Sequence, residues 1–150
     1  MADLKIITMR DVAAGKVAFL WKPYIPLGKI TIVQGDPGDG KTTLMLAVAA
    51  AITKGDALPG DGAVAPASVI FQTAEDGLAD TIKPRLEQLG ADCGRVHVID
   101  EDDESLSLAD ERIEQAIIKR EAKLVIIDPL QAYLGSANLH SAGGIRPRMK

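Results

Sequence analysis

The sequence predicts an α/β fold: a mostly parallel sheet with helices on both faces. Three observations lead to it. Short β-branched runs alternate with longer helix-forming runs along the 150 residues, the order that builds parallel strands joined by crossover helices. Gly35-Asp36-Pro37-Gly38-Asp39-Gly40-Lys41-Thr42 spells G-x-x-x-x-G-K-T between one such pair, a loop type that cradles phosphate. Leu124-Val125-Ile126-Ile127-Asp128 is an apolar run closed by a carboxylate, as expected of a buried strand that delivers an acid to the ligand edge of a parallel sheet.

Bulk properties narrow the class. The length fits one domain, and 47% hydrophobic with 25% charged residues is ordinary for a globular chain. Aromatics are 3%, so the core is expected to be aliphatic and alanine-rich. The net charge of −4 argues against a broad electrostatic grip on nucleic acid by this segment, while leaving room for a local basic patch. The single cysteine, Cys93, permits no internal disulfide and points to a reducing compartment. Between Asp92 and Gly94 it reads as an unreactive turn residue. No apolar run approaches the roughly 20 residues of a membrane span, and the N-terminus has no signal-peptide pattern. A cytoplasmic protein with no membrane partner is expected.

The elements follow in order. Val17–Trp21 is a candidate short strand, with Trp21 and Tyr24 either covering the bottom of a sheet or stacking on a base. Pro26-Leu27-Gly28-Lys29 is a turn signal, after which Ile30–Gln34 reads as the strand leading into the loop. Thr43–Ile52 is a strong helix-former run, ending near Lys54-Gly55 with a basic residue and a glycine stop. Residues 56–66 read as loop and Ala67–Thr73 as the second strand. A helix spans Gly77–Leu89, closed by Gly90, and Arg95–Ile99 is a third strand. The acidic run Asp100–Glu104 reads as a solvated loop. Ser107, with Asp110 three residues on, is the expected cap of a helix striped by Ile113 and Ile117, and Lys123–Asp128 is the fourth strand.

Each residue of the glycine loop has a chemical use. Gly35, Gly38 and Gly40 let bare backbone approach a ligand, and Pro37 stiffens the turn. Lys41 offers a point charge to β and γ phosphates. Thr42 offers a hydroxyl to Mg²⁺, which keeps most of its waters. Backbone N–H groups at the following helix start complete the cradle, which is expected to run from Gly35 to Thr43. Asp36 and Asp39 lie inside it and would repel phosphate, so both are expected to point to solvent. Asp128 should reach the same edge and share Mg²⁺ with Thr42 through water. Pro129 follows it, so a base for water must come from elsewhere. Glu75, just beyond the second strand, is the first candidate, and Asp76 the second. The plainer alternative is a helix-start carboxylate favoured by the dipole. Thr53-Lys54-Gly55-Asp56 fits a guanine-reading pattern by letters but sits at a helix end, so it reads as coincidence. His97 lies in a strand and His140 in a loop, too scattered with Cys93 for zinc.

These residues resemble the RecA-like hexameric helicase ATPases of the plasmid RepA type, often described as AAA-domain proteins of phages and mobile elements. The likeness runs from about Trp21 to Lys150. It rests on the glycine loop, the Ala74-Glu75-Asp76 corner, the stretch from Arg85-Leu86 to Gly90-Ala91-Asp92, and Ile127–Gly135. RecA-type enzymes place their catalytic glutamate after the second strand, which matches Glu75. The resemblance implies ATP hydrolysis with Mg²⁺, assembly into a homo-oligomeric (hexameric) ring, and translocation on single-stranded DNA. A regulatory or recombination ATPase of the same fold is the alternative. A small-molecule kinase is another, although no Arg-rich lid is evident. The family continues past the aspartate that matches Asp128, its Walker B residue, to a sensor strand and further strands, whereas this sequence runs on only to Lys150. On that ground the chain is expected to be a truncated product or fragment, incomplete at the C-terminus and lacking a central strand. Arg146 and Arg148 are candidates for reaching a neighbouring subunit.

Overall fold

The computed structural model describes residues 2–135. His140, Arg146 and Arg148 lie outside the described residues. The chain divides between Ile32 and Val33 into two compact units. In the first, β1 (Phe19–Trp21) pairs antiparallel with β2 (Ile25–Pro26). The rings of Trp21 and Tyr24 pack on each other at 4.8 Å, tilted by 56°, so the hairpin itself supplies their contact. No helix among the described residues is long and apolar enough to cross a membrane.

The second unit is built on a three-stranded parallel sheet, order β4-β3-β5. Its members are β3 (Ser68–Thr73), β4 (Val96–His97) and β5 (Ala122–Asp128). Among the described residues three α-helices accompany it: α1 (Lys41–Lys54), α2 (Lys83–Gln88) and α3 (Glu111–Arg120). The chain steps from β3 to β4 in one direction and from β4 to β5 in the other. Right-handed crossovers therefore place α2 and α3 on opposite faces. α1 shares the α2 face: it packs on α2 as well as on β3 and β5. This is the expected α/β architecture.

Four consecutive residues of β3, Val69 to Gln72, are buried, the pattern of a central strand covered on both faces. Leu46, Ala49 and Ile52 of α1 join Val69, Ile70 and Phe71 at 0% exposure. The core is aliphatic, as the composition requires, and each such large side chain contributes about 1.5–3 kcal/mol through burial. Gly55 closes α1 at φ 75°. Lys54 Nζ donates to Leu89 O at 3.0 Å, and the Asp92 amide donates to Thr53 Oγ1 at 3.1 Å. The residues that mimic a guanine-reading pattern thus join α1 to the end of α2.

Four expectations need correction. Ile30–Gln34 is not a strand: no ladder forms there, and Ile30, Ile32 and Val33 are 91%, 60% and 43% exposed. β-branched residues favour extended backbone, but a strand needs a neighbour to pair with. Second, α3 is capped by Asp110, whose carboxylate accepts from the Arg112 amide at 2.9 Å. It also holds the Arg112 guanidinium at 2.7 Å, a charge-assisted bond that the Ser107 hydroxyl cannot match. Third, the helix after Gly77 opens with a wide i→i+5 turn over Leu78–Ile82, and the regular α2 that follows carries Pro84 in its first turn. Wide turns of this kind are frequent beside functional sites. Fourth, Glu101 of the acidic run is half-buried and turned inward.

Candidate nucleotide-binding site

The glycine loop delivers the chain directly into α1. Gly38 and Gly40 adopt φ 86° and 84°, values that disfavour any residue with a Cβ. No side chain caps α1, and its first turn carries no acid. The orphan amides there, and the positive end of the helix, suit an anion. A phosphate chain fits these donors.

Lys41 Nζ donates to Gly35 O at 2.5 Å and to Asp36 O at 3.0 Å. The ammonium therefore folds over the loop it belongs to. Asp36 and Asp39 are both exposed, yet the Asp39 carboxylate does not simply face solvent. It accepts the Asp36 amide at 2.7 Å and lies where a Cβ on Gly35 would meet it at 3.0 Å. The orphan amide attracts the nearest anion, and glycine leaves the space. This carboxylate holds a negative charge within the loop that a phosphate would approach. Asp39→Ala is expected to tighten Mg·ATP binding about threefold at low salt, with the gain shrinking as ionic strength rises. Calorimetry at two salt concentrations checks it, and weaker binding would show that the Asp39 contact supports the cradle.

The second half of the site comes from the sheet. Register pairs Thr73 with Asp128, so β3 and β5 end together. The Thr42 hydroxyl donates to Asp128 Oδ2 at 2.7 Å across 86 positions of sequence. Two hard oxygens are thereby brought together, a donor set that fits Mg²⁺ with water filling its other positions. The Ala74 amide donates to Asp128 O at 3.2 Å. This bond ties the corner bearing Glu75 to the strand that ends in Asp128. Glu75 is exposed there and Asp76 half-buried, with the Asp76 amide on Thr73 Oγ1 at 3.3 Å. The structure thus gathers Lys41, Thr42, Asp128 and the Glu75 corner at one strand edge. Thr43, in the first turn of α1, is exposed.

An open groove of about 420 Å³ lies at the opposite edge, lined by Ser68 at the start of β3, by Arg95 and Arg120 before β4 and β5, and by His97 of β4. Burial, followed by the Arg120 charge, holds the His97 imidazole below its ordinary pKa. It plays no part in the constellation around Lys41.

A parallel sheet, a glycine loop feeding a helix and an aspartate at the neighbouring strand end define a P-loop ATPase-type domain of RecA-like fold. A family model described as AAA domain matches residues 14–149, and the chain belongs to that family. Membership implies ATP binding and, as a rule, Mg²⁺. DNA repair protein RadA of Halalkalibacterium halodurans is 34% identical over 104 residues, which cover 69% of this chain and 19% of the relative. DNA repair protein RadA of Bacillus subtilis is 28% identical over 118 residues, covering 79% and 22%. The chain spans about a fifth of the length of these curated relatives. No solved structure matches it.

Proposed function

We propose that the chain is the ATP-hydrolysing domain of a DNA-acting ATPase, of the RepA-type helicase kind. The observation that carries this is the 2.7 Å contact of Thr42 with Asp128 beside the uncapped start of α1. Backbone amides from Gly35 to Thr43 hold the phosphates, and Lys41 neutralises charge on the β and γ groups. Thr42 and Asp128 hold Mg²⁺, which when bound polarises the phosphoryl oxygens. Glu75 orients the attacking water and accepts its proton. The products are ADP and phosphate. A homo-oligomeric ring and a single-stranded DNA partner follow from the likeness to RepA-type enzymes. The relatives are named as DNA repair proteins, and a repair or recombination ATPase without helicase activity is the second reading.

ATP turnover by the chain is the test, measured with and without Mg²⁺ and with single-stranded DNA added. Mg²⁺-dependent turnover that DNA accelerates is the expected result. Displacement of a strand from a forked duplex then separates a helicase from a repair ATPase. Absence of turnover in every condition would overturn hydrolysis.

A further inference from the structure

A buried polar circuit connects the strand that leads to Glu75 with the turn that follows Asp128. Gln72 of β3 is 0% exposed. Its Oε1 accepts the Ile99 amide at 2.5 Å, and its Nε2 donates to Ile99 O and to Glu101 Oε2, each at 3.3 Å. Glu101 Oε1 accepts the Leu106 amide at 2.7 Å. The Tyr133 hydroxyl, on a residue 1% exposed, donates to Glu101 Oε2 at 3.4 Å. Tyr133 O in turn accepts the Leu108 amide at 2.7 Å. The loop between is held from its other side by Arg112, which donates to Asp100 O, Glu104 O and Ser105 O at 3.0–3.3 Å.

The circuit closes on the site. Gln72 lies three positions before Glu75, and Tyr133 five positions after Asp128. Asp128 O receives the Ala74 amide. Burial pushes the Tyr133 phenol up to about 12, with the Glu101 charge and hydrogen bond next, and Asp128 also contributing. Satisfied buried polar networks fix one geometry where apolar packing tolerates several. A carboxylate half-buried only for stability would be a poor choice, since apolar groups fill such a place at less cost.

We infer that Glu101 is a positioning residue for hydrolysis: by clamping Gln72 and Tyr133 it sets the spacing between the Glu75 corner and Asp128. The inference rests on the ATPase reading given above. It assigns Glu101 no contact with nucleotide. Its loss should therefore slow the chemical step and leave nucleotide affinity unchanged, because displacements of the order of 1 Å cost up to about 100-fold in rate.

The test compares the wild-type chain with Glu101→Ala, Glu101→Gln and Tyr133→Phe. For each, kcat and KM for Mg·ATP are measured together with the calorimetric Kd for Mg·ADP, well below the melting temperature of every variant. Glu101→Ala is expected to lower kcat about tenfold with KM and Kd within twofold. Glu101→Gln keeps an acceptor for Leu106 and lets Tyr133 accept instead of donate, but it sets an amide against the Gln72 Nε2 donor, so it should recover only part of that loss. Tyr133→Phe should fall between. If Glu101→Ala does not fold, the other two variants decide. A melting temperature that drops while kcat per folded molecule holds would overturn the inference and leave a purely structural role. Joint loss of affinity and rate would overturn it as well. Wild-type chain that binds Mg·ADP without turning over ATP removes the hydrolysis reading, and this inference with it. Wild-type turnover that all three variants match removes this inference alone.

Discussion

Lys41→Ala is expected to weaken Mg·ATP binding by about 100-fold, to the limit of calorimetric detection. The ammonium is a compact charge at the mouth of a loop whose other donors are neutral amides. Its present partners are two backbone carbonyls, Gly35 O and Asp36 O. A polyphosphate offers the same donor a full anion. Charge-assisted bonds of this kind contribute about 1.5–3 kcal/mol each, and Lys41 can make more than one, which yields the factor given. Asp36 and Asp39 sharpen the dependence, since without Lys41 the loop carries two carboxylates and no compensating cation. Lys41→Arg should recover only part of the loss: it restores the charge but presents a planar fork where a point donor is needed. The fold should be untouched, because the Lys41 side chain supports no core packing and α1 is held by Leu46, Ala49 and Ile52. Calorimetry with circular dichroism on the same samples checks both halves. Undiminished affinity in the folded alanine variant would remove the loop from nucleotide binding altogether.

What the sequence made legible, and what it hid, divides along physical lines. The glycine loop, α1 and the strands Ser68–Thr73 and Ala122–Asp128 were readable because their signals are local: glycine spacing, helix formers and unbroken aliphatic runs. The meeting of Thr42 with Asp128 was readable from topology, since parallel strands present their C-terminal ends together. Ile30–Gln34 was misread because its residues favour extended backbone, while a strand is defined by pairing. The cap of α3 was misplaced by three residues because a side chain's second partner, here Arg112 on Asp110, has no mark in sequence. Asp39 was expected to avoid the loop by charge alone, and the nearby orphan amide outweighed that. Glu101 was hidden most deeply. Five acids in a row look like solvent-facing loop, and nothing in their spacing shows which of them meets Gln72 and Tyr133. A buried glutamine in a strand was the available clue, because its amide must find partners.

Glu75→Gln is the other substitution expected to have a large effect: turnover should fall by about 100-fold or more while Mg·ATP binding stays within twofold. The amide keeps the size and polarity of the side chain but cannot take a proton from water, and general-base catalysis contributes about 10²–10⁴ in rate. Position argues for Glu75 over its neighbour. Ala74 is bonded to Asp128 O, so residue 75 is the first free to project beyond the paired strand ends, and it is exposed. Asp76 is shorter and half-buried, and its amide is bonded back to Thr73. Pro129 occupies the place directly after Asp128, where an alternative base would otherwise stand. Asp76→Asn should therefore cost much less than Glu75→Gln. Single-turnover rates and nucleotide affinity for the two variants make the comparison. The opposite ranking would move the base to Asp76, and equal small effects would mean that neither carboxylate activates the water. The ranking also tests the corner itself. If the β3–β5 register sets which residue clears the strand edge, then restoring a carboxylate at 75 as aspartate, one methylene shorter, should recover part of the rate, whereas glutamate at 76 in the Glu75→Gln background should not.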